Sequence, residues 1–145
     1  ERAARSARLV ETLALADIEA TRAQLSIEQG NFEDAYEILQ SVEYRLGTSW
    51  SAYNEAICVS LMVCCEVALG YWNSFDSSLS RLYDLLDETS VIAPDIPHAL
   101  VEAARQARDR GRPQLACRLV EDAAERYSSL GLNEAAEDAL SEFRI

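Results

Sequence analysis

One histidine, His98, four cysteines and 25 carboxylates are the groups in this 145-residue chain most able to support chemistry, and their spacing assembles no reactive set. A lone histidine excludes a multi-His metal site and makes a His-based triad hard to assemble. His98 follows Pro97 in the first turn of a predicted helix, where it reads as a helix-end surface residue, with a groove contact as the alternative. Cys58 and Cys65 share a helical face at i, i+7, with Cys64 close by, but no Cys-x-x-Cys pair or fourth ligand completes a zinc site. Adjacent Cys64 and Cys65 point about 100° apart on a helix and will not readily bond each other. With Cys117, the cysteines are expected as small apolar helix residues in a reduced, cytoplasmic setting. Close carboxylates such as Glu33 with Asp34, Asp84 with Asp87, and Glu121 with Asp122 fall on the wet faces of predicted helices, and solvation explains them better than acid–base work. There is no Gly-rich phosphate loop, Gly-x-Ser-x-Gly elbow or His-Glu-x-x-His pattern. The expectation is a protein that is not an enzyme, with no catalytic residue, metal or cofactor.

The formal charge is -12, and all 13 basic residues are arginine. Such a surface repels nucleic acid and anionic lipid, so neither is expected as a partner. It serves solubility, or it faces a protein or peptide with a basic segment. Arg105, Arg108, Arg110 and Arg112, with Arg118 beyond, form the one basic cluster. Arg108 and Arg112 fall near a helix C-terminus, where cations meet the dipole favourably; a patch for an acidic surface is the alternative. Tyr71 and Trp72 are expected at a turn, either anchoring the core or contacting a partner.

The elements that position these residues are all helical. Gly (5) and Pro (3) are scarce and fall almost wholly at helix ends, Ala and Leu are abundant, and β-branched alternation is absent. No stretch approaches the length of a membrane span; the longest apolar one, 56–69, is interrupted by Ser60 and Glu66. The first helix, or pair of helices with a break near 12–15, covers 1–29 and is closed by Gly30. Val10, Ala14, Ile18, Thr21 and Leu25 form one stripe on it, and Leu9, Leu13, Ala16, Ala20, Ala23 and Ile27 form a second. Two apolar faces predict a helix packed between neighbours. Further helices are expected at about 32–46, stopped by Gly47; 50–70, capped by Thr48 or Ser49 and central to the core; and 75–88, capped by Ser74 after a turn at 71–74 in which Asn73 takes the left-handed conformation. A loop at 89–97 ends in Asp95 as cap. Helices at 97–110 and 113–130 end at Gly111 and Gly131, and Asn133 caps a last one to 144. The chain is expected to be one domain. It opens at Glu1 inside a helical pattern with no methionine or signal-peptide pattern, so it reads as part of a longer protein.

Three stretches share one grammar: Gly30-Asn31-Phe32 with Ala35, Asn73-Ser74-Phe75 with Ser78, and Gly111-Arg112-Pro113 with Ala116. The turn residues lie 43 and 38 positions apart, and the two Leu-Gly endings, Leu46-Gly47 and Leu130-Gly131, lie 84 apart. These spacings predict three helical hairpins (about 1–47, 48–90 and 95–131) plus an extra helix at 133–144. The pattern resembles the tetratricopeptide repeat superfamily, whose units carry a Gly-x-aromatic turn and a small residue three positions later. Gly30-Asn31-Phe32 with Ala35, Leu39 and Val42 matches it well. Asn73 replaces the glycine in the second unit, and Pro113 the aromatic in the third. The long units and the Tyr44 and Tyr127 endings look more like divergent repeats of bacterial multidomain regulators, which receive a ligand or partner protein. The resemblance implies an all-α, right-handed superhelix of stacked antiparallel hairpins, about seven helices in all.

In that superfamily the first helix of each unit lines the concave groove, at positions 13, 9, 6 and 2 before the turn residue. Carried over, these are Asp17, Thr21, Gln24 and Glu28; Ser60, Cys64, Val67 and Tyr71; and His98, Glu102, Arg105 and Asp109. The first set holds only acids and neutral polar groups, so it does not supply the cations of a carboxylate clamp. The resemblance implies a non-catalytic protein-interaction or ligand-sensing scaffold within a larger regulator. The alternative is a structural segment, a homo-oligomer joined through its end helices.

Overall fold

The computed structural model describes residues 2–46, 50–89 and 93–144. They form seven α-helices and no strand: α1 Arg2–Glu28, α2 Phe32–Leu46, α3 Ala52–Leu69, α4 Trp72–Thr89, α5 Asp95–Asp109, α6 Pro113–Ser129 and α7 Asn133–Phe143. α1 is one continuous helix of 27 residues. Gly47, Thr48 and Ser49, expected to end α2 and cap α3, lie outside the described residues, as does part of the predicted 89–97 loop. The cap seen on α3 is Ser51, whose hydroxyl accepts from the Asn54 amide at 3.2 Å.

Four corners are built alike. Gly30, Gly70, Gly111 and Gly131 all have φ between 76° and 81°, the left-handed region that a side chain disfavours. At the second corner the Gly70 amide donates to the Val67 carbonyl at 3.2 Å and the Tyr71 amide to the Glu66 carbonyl at 2.8 Å. The Phe75 amide, donating to the Tyr71 carbonyl at 2.9 Å, then opens α4. Gly30, Gly111 and Gly131 repeat these three bonds. Each closure satisfies carbonyls that the helix end leaves bare and turns the chain within two residues.

This moves the second corner. Gly70, not Asn73, is the left-handed residue, and α4 begins at Trp72, so Asn73 and Ser74 lie inside the helix and Ser74 is no cap. The glycines of the three hairpins therefore stand 40 and 41 positions apart, and Phe75 occupies the place of Ala35 and Ala116. Asp95 and Asn133 are likewise the first residues of α5 and α7 rather than their caps.

α3 is the core helix. It packs on α2, α4 and α5 and touches α1 lightly, while α5 packs on α6 and α6 on α7. The first hairpin meets the second mainly through α2, and the second meets the third through α3, so the two steps are packed differently. Ala52–Leu69 is, by length and composition alone, apolar enough to cross a bilayer, against the sequence expectation, but most of it is buried inside the protein. α1 departs from expectation too. Its Ala16, Ala23 and Ile27 are buried, whereas Val10, Leu15, Ile18 and Leu25 are each more than half exposed, so α1 lies at an edge.

The arginine cluster is spent largely on internal contacts. Arg110 Nε donates to the Ala68 carbonyl at 2.7 Å, capping the C-terminal end of α3, and the Arg112 guanidinium lies 3.7 Å from the Trp72 ring centroid. Arg105 forks onto Glu142 of α7 at 2.7 and 2.8 Å, and Arg108 sits 4.6 Å over the Phe143 ring. The third corner is thereby stitched to the second. A Cβ on Gly70 would stand 2.8 Å from Arg110 Nη1, whereas one on Gly30 would meet nothing within 4 Å. Gly30→Ala is expected to lose about 1–2 kcal/mol from backbone strain alone. Gly70→Ala is expected to lose more, because it also displaces the arginine cap. Urea melts of the two variants check this, and equal losses would contradict the role given to Arg110.

Candidate functional site

The first helices of the three hairpins converge on one cleft of about 400 Å3. The last two turns of α1 contribute Gln24, Ile27 and Glu28, the middle of α3 gives Leu61 and Cys64, and α5 gives Asp95, His98, Ala99, Val101, Glu102 and Arg105. Tyr127 of α6 closes one side. The floor is apolar and buried, formed by Ile27, Leu61, Cys64, Ala99 and Val101, while Gln24, Glu28, Asp95 and His98 stand exposed on the rim.

Three carboxylates from two hairpins (Glu28, Asp95 and Glu102) face one guanidinium across this floor. Arg105 is held between Glu102, at 3.0 Å, and Glu142, at 2.7 Å. Its hydrogen bonds to Glu142 and Glu102 raise its pKa further and hold the Glu142 carboxyl below its usual range. Arg105 is therefore largely neutralised within the fold, and the rim presents net negative charge. His98 packs edge-on against Tyr127, ring centroids 5.4 Å apart, with its Nδ1 against the Tyr127 hydroxyl. Where Tyr127 donates, the histidine proton sits on Nε2. Burial raises the Tyr127 pKa, and burial pushes the Cys64 thiol well above its ordinary value, so neither serves as a ready nucleophile at neutral pH. Among the described residues, no three His, Cys, Asp or Glu side chains converge as a metal site.

Of the twelve positions read from sequence, Gln24, Glu28, Cys64, His98, Glu102 and Arg105 line this cleft. Asp17, Thr21 and Asp109 are exposed outside its lining. Ser60 and Val67 are fully buried, and Tyr71 lies against Tyr36 of α2, ring centroids 5.6 Å apart, in a separate shallow pocket. The three misplaced residues share one cause. Counting from Asn73 instead of Gly70 slides the second set by three residues, about 60° around a helix. Counted from Gly70 it reads Ile57, Leu61, Cys64 and Ala68, and Leu61 and Cys64 do line the cleft. Ile27, Asp95 and Tyr127 were missed because the repeat positions do not include them.

A second polar group lies in the core. Glu66 is 1% exposed, and its Oε2 accepts from the Tyr36 hydroxyl at 2.7 Å and the Ser78 hydroxyl at 3.0 Å, joining α2, α3 and α4. Its Oε1 has no hydrogen-bond partner among the described residues. Burial raises its pKa, against the opposing pull of the two hydroxyls. Arg81 of α4 pairs with both Glu43 of α2 and Glu55 of α3.

No protein-family model, curated protein or solved structure matches this chain.

Proposed function

We propose that this protein is a non-catalytic interaction module whose cleft takes an extended segment of a partner protein carrying basic side chains. The observation behind this reading is the pairing of an apolar floor with carboxylates from α1 and α5, the only guanidinium on the lining among the described residues being already matched by Glu102 and Glu142. An arginine or lysine stem lies on such a floor while its cation meets Glu28 or Asp95. The net charge of -12 favours the same partner in the encounter and disfavours nucleic acid and membrane.

The reading extends to the architecture. The four equivalent corners and the shared cleft of α1, α3 and α5 support a tetratricopeptide-like stack of hairpins, which the sequence resemblance would make right-handed and place in a cytoplasmic regulator. The unequal packing of the two steps supports reading it as a divergent form. A second reading, self-association through an end helix, draws its support from the exposed apolar stripe of α1.

The test is titration of the isotope-labelled protein with an arginine-containing peptide and with its glutamate counterpart, followed by amide shifts. The basic peptide is expected to shift α1, α3 and α5 residues around the cleft, and the acidic one to leave them unmoved. Reversing the charges of Glu28 and Asp95 together, both exposed, is expected to weaken binding about tenfold. Shifts scattered over the outer helices, or an unchanged affinity in the double reversal, would reject the cleft as the docking site.

A further inference from the structure

We propose that α1 is a self-association surface that takes α1 of a second copy in antiparallel register. This rests on the self-association reading and is independent of the cleft. α1 buries Ala16, Ala23 and Ile27 against its own fold and leaves the opposite face open, with Val10, Leu15, Ile18 and Leu25 between 52% and 65% exposed. At about 100° per residue, Glu11, Leu15, Ile18 and Arg22 fall within about 60° of arc, and they run along the helix as acid, apolar, apolar, base. All four are exposed, and neither Glu11 nor Arg22 makes an ion pair or side-chain hydrogen bond among the described residues.

That order names the occupant. A two-fold axis midway between residues 16 and 17 sets Glu11 of one copy opposite Arg22 of the other, and Leu15 opposite Ile18, each pairing occurring twice. Leu25 then covers Ala7 and the stem of Arg8. A parallel arrangement places Glu11 on Glu11 and Arg22 on Arg22, which repels at both ends. An unrelated apolar partner has no use for opposite charges placed symmetrically about the apolar centre, whereas a second copy uses both. The surface is self-complementary in one direction only.

Sedimentation of the whole chain over a wide concentration range, with circular dichroism as the folding control, tests this. The wild type is expected to form a dimer. Glu11→Arg alone and Arg22→Glu alone are each expected to weaken it about tenfold, and the double exchange to restore it. In a Cys117→Ser background, mixing Leu15→Cys with Ile18→Cys protein is expected to give crosslinked heterodimer in preference to either homodimer. A protein that stays monomeric at every concentration overturns self-association altogether. A dimer indifferent to the charge exchanges, or crosslinked preferentially at like positions, overturns the antiparallel α1 register while leaving association through another face.

Discussion

Leu100→Ala is expected to lower the unfolding free energy by about 3–5 kcal/mol. Leu100 is fully buried on α5, the helix that packs against both α3 and α6. Its neighbours on the same helix are Ala99, Ala103, Ala104 and Ala107, all at most 5% exposed. A methyl side chain cannot swing into a void, so the lost isopropyl group leaves a cavity that these alanines cannot refill. The cost therefore belongs in the upper part of the range for such truncations. Urea unfolding followed by helical ellipticity measures it. A loss below about 1 kcal/mol would mean that the site collapses freely and that α5 is not the tight joint described.

Glu66→Ala is expected to lose about 2–4 kcal/mol, since it strands the Tyr36 and Ser78 hydroxyls in the core and opens a void between three helices. Tyr36→Phe removes one donor and leaves Glu66 its bond from Ser78, so a smaller loss of about 1 kcal/mol is expected. The pH dependence separates Glu66 from an ordinary ion pair. Its folded pKa is raised by burial, so the folded state holds the proton more tightly than the unfolded one. The contribution of Glu66 to stability is then complete below the ordinary carboxylate pKa and declines as pH rises through the folded value. Glu142, whose pKa is lowered by Arg105, runs the other way and loses its contribution as pH falls. Glu66→Gln is expected to flatten the alkaline-going decline without abolishing it, because burial also raises the pKa of Glu43. Denaturation midpoints of wild type and variant across the acid-to-neutral range check this. Parallel curves would show that Glu66 does not titrate with folding.

The seven helices and three of the four corners were legible because their signals are local: Gly30, Gly111 and Gly131 each follow an apolar-periodic run and precede another. The second corner was misread because Asn73-Ser74 looks like a turn and Tyr71-Trp72 like its exposed approach. Gly70 closes that corner with the same main-chain bonds as the other three, so α4 opens at Trp72, whose ring the Arg112 guanidinium then covers. The slip passed directly into the proposed site, bringing in Ser60, Val67 and Tyr71 and leaving out Leu61, while Cys64 falls in both counts. Gln24, Glu28 and His98 survived because their counts started from true corners. Glu66 showed in the sequence only as a break in an apolar run, since its partners come from two other helices. The open face of α1 was invisible for a related reason. Periodicity reveals that a helix has two apolar sides, but not which one finds a neighbour.

The corners carry one more implication. Each closes with main-chain bonds between residues at most five apart in sequence, so its shape needs no distant segment. A polypeptide built this way has little topological searching to do. Adjacent helices fold back as short-range units and then dock, the regime in which all-helical domains reach the native state quickly. The same locality gives evolution a simple unit of change: a two-helix segment added or removed at such a glycine disturbs its immediate neighbours and leaves the rest of the architecture alone.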